Sequence, residues 1–506
     1  MLIYFFRLVQ HYLSLRDDST MTKIPPEYSP SGHPRSFSLL FVLFTFVKFV
    51  QVWWLWDMAA CYSPNIVLGW LAVKAGDTFS YLDCFEHLLS EGSYYFDNGI
   101  DKVYAGRMPH YGVFYYCFRF VCNAETAATL QVLLQLGFEL LASWWLCCWV
   151  AQLSQSKWGF YATLALLSAS VYWTNYTIYL SPESLGLSFL IITLYQYYQY
   201  KLAPSWLRLA WVGICLAYLV GLKSYMGIFL PVLGLDLLYY YYKNKKPIRT
   251  VVKGSILFAL PFVLVTALWA GRNKQVTGHA YLLVQPYSGY VTYQNPIYQS
   301  YRRLMSTWGG SDEPWNPSTL SSFFFDKYAT DYTISQVPTS ALFTSDSVLI
   351  LKQYLANMND YDSTKQQAIA TQIDHYTQSF IDENPMLPLT SRLALIPPFI
   401  FHSGSYYLPI KRGHTCYAGH QFVFKIWQSL LYYFLLLVGS LGLLALIWQR
   451  KSYIFAFIPI FLLVLFCFII RNIELRYFAY SFVSFVVGAA YLLATFVEYF
   501  IAKQHD

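Results

Sequence analysis

The sequence predicts an all-α polytopic membrane protein with about ten transmembrane helices and a small outward-facing soluble domain. Charged residues make up 12% of the 506 residues, whereas a soluble domain carries about 25%. Hydrophobic residues reach 56% and aromatic residues 20%. Because so few charges cannot cover the surface of a water-soluble body of this size, the composition disfavours a cytosolic enzyme. It also excludes disordered, collagen-like and disulfide-scaffold chains.

Ten segments are apolar and long enough to predict membrane spans, for which about 20 largely apolar residues are needed. Three of them are short, at roughly 15 to 18 residues, and need support from flanking aromatic residues. The predicted spans are 37–57, 125–150, 158–173, 183–200, 207–221, 224–242, 251–270, 423–446, 453–470 and 477–500.

The distribution of Lys and Arg predicts that both termini are cytoplasmic, because cytoplasmic loops retain positive charge. The run KNKKPIR at 243–249 is the strongest marker of the inner side. The chain then divides into a cytoplasmic segment, an N-terminal membrane module with one outer loop, an outer domain, and C-terminal spans with a short tail. These parts are 1–36, 37–270 with the loop 58–124, 271–422, and 423–506.

The two outer segments contain predicted helices. The residues Phe79, Leu82, Phe85 and Leu88 recur every third position, which predicts an amphipathic helix over 79–89 lying in the membrane surface. The domain 271–422 holds two further helical stretches, at about 341–357 and 363–381. The nine cysteines are odd in number and form no CxxC pair or Cys/His cluster, so neither a disulfide framework nor structural zinc is expected.

Several cations contradict the positive-inside tendency, because they lie near predicted outer boundaries of the spans. They are Lys223, Arg272, Lys274, Arg471 and Arg476. Such a group suits an anionic ligand such as a lipid phosphate, for which arginine offers two parallel donors. The alternative is that each side chain extends to the lipid headgroups with no further role.

Carboxylates gather on the same side, and each has a structural and a functional interpretation. Asp77 in GDTFSYLD is either the cap of the 79–89 helix or a reactive carboxylate at the membrane boundary. Glu183 in LSPESLGL is either an acidic helix start or a site residue. Glu139 lies in the middle of a span, where an ionisable group is either functional or a buried, paired structural residue.

Six motifs in order resemble the GT-C superfamily of polyprenyl-phosphate-sugar glycosyltransferases. They are GDTFSYLD followed by GRMPHYG, then LSPESLGLSFL, GLKSYMGIFLP, WAGRNKQVTG, IDENPMLPLTSRL and IELRYFAY. The chain is most similar to the bacterial branch that includes protein O-mannosyltransferases and the lipid A aminoarabinose transferase. The resemblance implies a GT-C-like fold in a plasma membrane, with the bacterial inner membrane as the expected location.

The chemistry of this family, joined to the pattern of outer charges, predicts roles for individual residues. A leaving lipid phosphate needs cations, and an acceptor hydroxyl needs a base. We expect Asp77 to be the base of an inverting displacement, with Arg272 and Arg476 binding the donor phosphate and Lys223 assisting. The predicted substrate-binding residues are Tyr81, Arg107, His110, Glu183, Asn273 and Glu474.

The predicted partners are a polyprenyl-phosphate sugar donor, membrane lipids, and an acceptor that is a lipid, a glycan or a protein. No nucleic acid is expected, no cofactor is required, and a divalent metal has no support in the sequence. Two other classes stay open. One is a transporter or flippase of a lipid-linked or anionic substrate, which predicts broken helices and charges at mid-depth. The other is a non-catalytic subunit.

Overall fold

The computed structural model describes residues 35–97, 102–284, 295–308, 360–401, 418–470 and 475–505, with isolated positions between 350 and 416. Within these ranges the chain is almost entirely helical. The only sheet is one antiparallel pair, β1 (Phe96–Asp97) and β2 (Lys102–Val103). The prediction of a helical membrane protein is therefore confirmed at the level of class.

Among the residues that the structure describes, five helices are long and apolar enough to cross a membrane. They are α1 (Arg35–Tyr62), α4 (Ala124–Ser154), α10 (Ile248–Thr277), α15 (Gly419–Trp448) and α18 (Ser481–His505). Each corresponds to one predicted span. The other predicted spans are shorter or interrupted, so the count of ten stays a prediction.

The shorter apolar segments form α5 to α9 and α16. Their bounds are α5 (Lys157–Ala169), α6 (Tyr172–Ile178), α7 (Glu183–Leu202), α8 (Trp206–Leu222), α9 (Phe229–Lys243) and α16 (Ile454–Leu463). A 3-10 turn (Ser224–Ile228) precedes α9, and a π-helical turn (Val464–Ile469) follows α16.

The predicted span 158–173 extends past the end of the helix that it contains. The α5 helix ends at Ala169, and Ser170 takes an extended conformation. The Ser170 hydroxyl accepts a hydrogen bond from the backbone N–H of Tyr172, so a new helix, α6, begins two residues later. Serine favours such local bonds to the backbone, and apolar composition alone does not reveal the break.

The outer loop 58–124 carries α2 (Thr78–Glu91) and α3 (Val113–Arg119). The predicted helix at 79–89 is present, but its apolar face is covered by protein. Leu82 and Phe85 are buried, and Phe85 packs so closely on Gly112 that a side chain there would overlap it. Phe79 is exposed and Leu88 is half-buried, so at most this part of the apolar face is free to contact lipid.

Four helices lie wholly within the described residues of 271–422, and the first two pack together. They are α11 (Pro296–Trp308), α12 (Ser363–Glu383), α13 (Leu387–Leu393) and α14 (Ile396–Phe401). Ile297 and Leu304 of α11 meet Ile369 and Ile373 of α12 in a small separate core. The predicted helix at 363–381 is confirmed, whereas 341–357 lies almost wholly outside the described residues.

One close contact joins the two long C-terminal helices, and one covalent bond joins the end of α1 to the segment that precedes α15. The backbones of α15 and α18 are in close contact at glycines. A Cβ atom on Gly442 would overlap the carbonyl of Gly488. A disulfide joins Cys61, at the end of α1, to Cys416 before α15. The odd number of cysteines gave no indication of this bond. One pair among nine residues is compatible with an odd total, and only the fold brings together positions 355 residues apart.

Candidate functional site

Five charged side chains of alternating sign form a chain at one end of the helical bundle. Their order is Arg107, Asp77, Arg476, Glu183 and Lys223, and we call this set the charge chain. It joins the start of α2, the loop before α3, the start of α7, the end of α8 and the short helix α17 (Leu475–Phe478). Residues far apart in sequence therefore meet where several helices begin or end.

Backbone pairing brings the loop before α2 against the start of α7. The N–H of Val73 donates to the carbonyl of Ile178 at 2.9 Å, and the N–H of Leu180 donates to the carbonyl of Val73 at 2.8 Å. The hydroxyl of Thr78 also donates to the carbonyl of Leu180 at 2.8 Å. These bonds fix the position of Asp77 relative to Glu183.

The carboxylate of Asp77 does not cap the helix that it precedes. Asp77 occupies the N-cap position of α2, but its side chain accepts no capping hydrogen bond. Its Oδ2 atom lies 2.8 Å from Nη2 of Arg476 and 3.6 Å from Nη2 of Arg107. The side chain keeps 27% of its surface exposed. The geometry therefore argues against the interpretation of Asp77 as a helix cap only.

Arg107 is oriented by the first turn of α2. Its Nε donates to the hydroxyl of Ser80 at 3.0 Å, and its guanidinium lies 4.7 Å from the ring centroid of Tyr81. Tyr81 in turn packs edge-on against Tyr111. Two predicted substrate-binding residues, Tyr81 and Arg107, are thus adjacent to Asp77.

Glu183 and Lys223 form the buried part of the charge chain. Glu183 is the first residue of α7, where the helix dipole favours an acid, and its Oε1 lies 2.7 Å from Nζ of Lys223. Nε of Arg476 is 3.8 Å from the same oxygen. The ring of Tyr477 lies beneath both cations. Glu183 therefore begins a helix and also belongs to the charge chain.

Arg272 and Asn273 lie near this end of the bundle but are engaged elsewhere. The guanidinium of Arg272 donates to the backbone carbonyls of Tyr94 and Tyr104 in the outer loop. The Asn273 side chain accepts from Arg272 at 3.0 Å and donates to the carbonyl of Tyr281 at 2.9 Å. Both residues bind the end of α10 to loops. Glu474 and Arg471 lie outside the described residues.

His110 is close to the site but has an apolar environment. Its ring packs on Gly221, its Nδ1 atom is buried with no hydrogen-bond partner in the described part of the chain, and its carbonyl accepts from Tyr218. Burial lowers the pKa of His110 to about 4, so the imidazole is neutral at pH 7. This ring can fill space or accept one hydrogen bond, but it supplies no charge.

Two further acids on α2 differ in their surroundings. Glu86 receives two hydrogen bonds from Arg119, at 2.7 and 2.8 Å, and the bonds from Arg119 lower the pKa of Glu86. Burial raises the pKa of Asp83. Neither is held between two cations, as Asp77 is, in the described structure.

A second ionised pair lies deep in the bundle. Nζ of Lys48 on α1 lies 3.2 Å from Oε1 of Glu139 on α4, and both side chains are almost completely buried. Lys48 also donates to Thr174 at 2.8 Å, and Glu139 accepts from Thr174 and Thr177 at 2.8 and 2.5 Å. We call Lys48 and Glu139 the buried pair. Glu139 stands out in the sequence and Lys48 does not, although a lysine within the apolar run of span 37–57 is a signal of the same kind.

The charge chain combines three cations with two carboxylates, and its outer members are open to solvent. Arg107 and Arg476 can bind an anionic group, while Asp77 between them can accept a proton from a nearby hydroxyl. In the described part of the chain, no group of three or more His, Cys, Asp or Glu side chains is arranged to hold a metal ion.

Comparisons with known proteins assign no family to this chain. No protein-family model matches the sequence, and no curated protein is significantly similar to it. The chemistry of the site is therefore inferred from its geometry and from the six sequence motifs.

Proposed function

We propose that this protein is an integral membrane glycosyltransferase that moves a sugar from a polyprenyl-phosphate donor to an acceptor hydroxyl at the outer membrane face. The observation that carries this proposal is the open carboxylate of Asp77, held between Arg476 and Arg107 and not used as a helix cap. A purely structural ion pair needs no exposure, whereas a base and a phosphate site must be reachable by their substrates.

The proposed reaction is a single displacement that inverts the anomeric carbon. The acceptor oxygen forms a bond to that carbon while the bond from the carbon to the donor phosphate breaks. Asp77 takes the proton of the acceptor hydroxyl, and the electron pair of the broken bond leaves with the phosphate. Arg476 and Arg107 stabilise the charge that accumulates on the leaving phosphate.

The buried members of the charge chain orient the exposed ones. Glu183 lies beside Arg476 and holds Lys223, so the Arg476 guanidinium has a carboxylate on each side. Lys223 contributes positive charge from a buried position. Arg272, whose donors already bind two loop carbonyls, supports the outer loop in this scheme. Direct binding of phosphate by Arg272 stays a prediction.

The disulfide supports an outward orientation for this end of the protein. Disulfides persist in oxidising compartments, and Cys61 and Cys416 belong to the two segments that the charge pattern predicts to be outside. An outer site agrees with this orientation, and the cytoplasmic termini and the plasma-membrane location stay parts of the proposal.

The proposal is tested with purified protein, a synthetic polyprenyl-phosphate sugar and a mixture of acceptor hydroxyl compounds. We expect free polyprenyl phosphate to be released and the sugar to be recovered on an acceptor with inverted configuration. Failure of a panel of such donors to lose sugar, with the protein folded, would contradict the proposal.

The buried pair favours a second candidate, a transporter of a lipid-linked or anionic substrate. A mid-bundle ion pair beside the break between α5 and α6 is the kind of feature that this class predicts. Against it, Lys48 and Glu139 are fully occupied by each other and by threonine hydroxyls. Reconstituted vesicles separate the two functions, since a transporter moves an intact donor across the bilayer and a transferase cleaves it.

A further inference from the structure

The described structure contains a cavity of about 330 Å³ at the end of the bundle opposite the charge chain. Glu183 begins α7 at the charge chain, and the 20 residues of α7 rise by about 30 Å, so Tyr200 and the residues after it lie near the opposite end. That length equals the hydrocarbon thickness of a bilayer. The cavity therefore lies at the other membrane interface.

The cavity has an aromatic wall and a basic rim. Tyr200, Tyr240, Tyr241 and Trp206 line it together with Lys246. The hydroxyls of Tyr200 and Tyr241 bond to each other at 2.7 Å, so the wall is tied together. The cavity also includes Pro247 and Thr250 at the start of α10, and the positive end of that helix dipole adds to the basic character of the rim.

The surrounding charge is of one sign. Lys243, Lys245, Lys246, Arg249 and Lys253 fall within eleven residues, and the sequence has no acid between Asp236 and Asp312. Asp236 itself binds Lys201 at 2.9 Å. Lys253 lies 4.6 Å from the ring centroid of Trp206, directly beside the cavity. The positive-inside tendency explains why cations are retained on this side, but it does not explain a cavity among them.

The surface next to the cavity is apolar and exposed. Leu207 follows Trp206, Ile248 follows Pro247, and Tyr242 follows Tyr241, and all three side chains are largely exposed. A ligand with an anionic head in the cavity would lay its apolar part along these residues. The basic rim matches any anion, whereas the rim and the apolar surface together match a phospholipid.

We propose that this cavity is a binding site for one anionic phospholipid of the inner leaflet, with the phosphate at Lys246 and Lys253 and the acyl chains on α8 to α10. Basic recesses between membrane helices on the cytoplasmic side select such headgroups. The site is independent of the charge chain and of the function proposed for it.

The test is a titration of the purified full-length protein in detergent with phosphatidylglycerol and with phosphatidylcholine of the same acyl chains, followed by native mass spectrometry. We expect phosphatidylglycerol to bind at least about 10-fold more tightly. The variant Lys246→Gln/Lys253→Gln should weaken its binding by about 10- to 30-fold, since each cation near the surface adds about one factor of 5.

A control variant removes the same charge elsewhere at this interface. Lys157→Gln/Lys503→Gln alters exposed lysines on α5 and α18 and should change the affinity by less than about 2-fold. A third variant, Thr250→Trp, fills the cavity without changing charge and should also weaken phosphatidylglycerol binding.

Three outcomes would overturn the proposal. They are equal binding of the two lipids by the unaltered protein, an equal loss in the control variant, and full displacement of the lipid by millimolar inorganic phosphate. The first needs no mutation, so the proposal can fail even where a variant does not fold. The third would indicate a site for free phosphate.

Discussion

The charge chain and the buried pair use the same kinds of side chain at different depths, and they differ in whether all partners are supplied by the protein. Glu139 has Lys48, Thr174 and Thr177 around it and no exposed surface. Asp77 has Arg476 and Arg107 but keeps about a quarter of its surface open. A closed pair can stabilise or specify the bundle, whereas an open one can exchange a partner for a ligand.

This difference teaches how to weigh charges in a membrane protein. Depth in the membrane by itself would favour Glu139 as the functional residue, because an ionisable group in a span is functional by default. Its saturated surroundings indicate a structural role instead. Partial exposure and a position between two cations favour Asp77 as the functional residue, although its position near the end of the bundle does not. The two regions should therefore respond in opposite ways to mutation, one in activity and the other in stability.

The largest expected effect is the loss of activity in Asp77→Asn. An amide cannot accept the proton of the acceptor, so sugar transfer should fall by about 100- to 10,000-fold. Folding should be nearly unchanged, because Asp77 makes no capping bond that the variant could lose. The measurement is release of polyprenyl phosphate from a lipid-linked sugar.

A matched control is Asp362→Asn. Asp362 occupies the same N-cap position in α12, and its carboxylate accepts from the N–H of Lys365 at 2.8 Å. This variant should retain activity within about 2-fold, because an asparagine still caps a helix. If Asp77→Asn kept more than a tenth of the activity, Asp77 would not be the base.

The second prediction concerns the buried pair. Lys48→Met leaves the Glu139 carboxylate without its cation, so the free energy of unfolding should fall by about 3 to 5 kcal/mol. The double variant Lys48→Met/Glu139→Gln removes both charges and should recover most of that loss. Thermal unfolding in detergent measures the effect, and transfer activity per folded molecule should stay unchanged.

A loss of activity without a loss of stability in Lys48→Met would contradict the structural assignment. The double variant is the control because it removes both charges. It should recover stability if the only harm in Lys48→Met is the unpaired carboxylate of Glu139, and it should stay inactive if either charge is required for transfer. Recovery of stability with no recovery of transfer activity would mean that the charges of the buried pair are themselves required for transfer.

The third prediction separates the two arginines that the sequence assigned to the donor phosphate. Arg476→Ala should weaken donor binding by about 10- to 100-fold, the value of one charge-assisted hydrogen bond. Arg272→Ala should mainly reduce the yield of folded protein, because it frees the carbonyls of Tyr94 and Tyr104. Donor affinity is measured by titration with a non-transferable lipid-phosphate analogue. Equal losses of affinity in both variants would restore Arg272 to the phosphate site.

The helical class and the cations at one end of the bundle followed from composition and charge position, because both are local properties of the sequence. Asp77, Arg476 and Lys223 were singled out in that way, and they do meet. The partners were harder to predict. Nothing near Arg272 in the sequence indicates that its donors bind loop carbonyls, and no spacing links Lys48 to Glu139 or Cys61 to Cys416. Such pairings are fixed by tertiary packing.

The smallest expected effect concerns His110, a buried residue at the same end of the bundle as the charge chain. Burial lowers the pKa of His110 to about 4, below the value of about 6.5 in the unfolded chain. Below pH 6.5 the unfolded state therefore binds a proton that the folded state does not, and stability falls as the pH decreases. Between pH 7.5 and 5.5 this group should remove about 1.4 kcal/mol. His110→Phe keeps a ring against Gly221 and cannot titrate, so it should lose that much less over the same interval, while groups common to both proteins cancel. Chemical unfolding at the two pH values measures the difference. Identical pH dependence of the two proteins would mean that burial does not lower the pKa of His110.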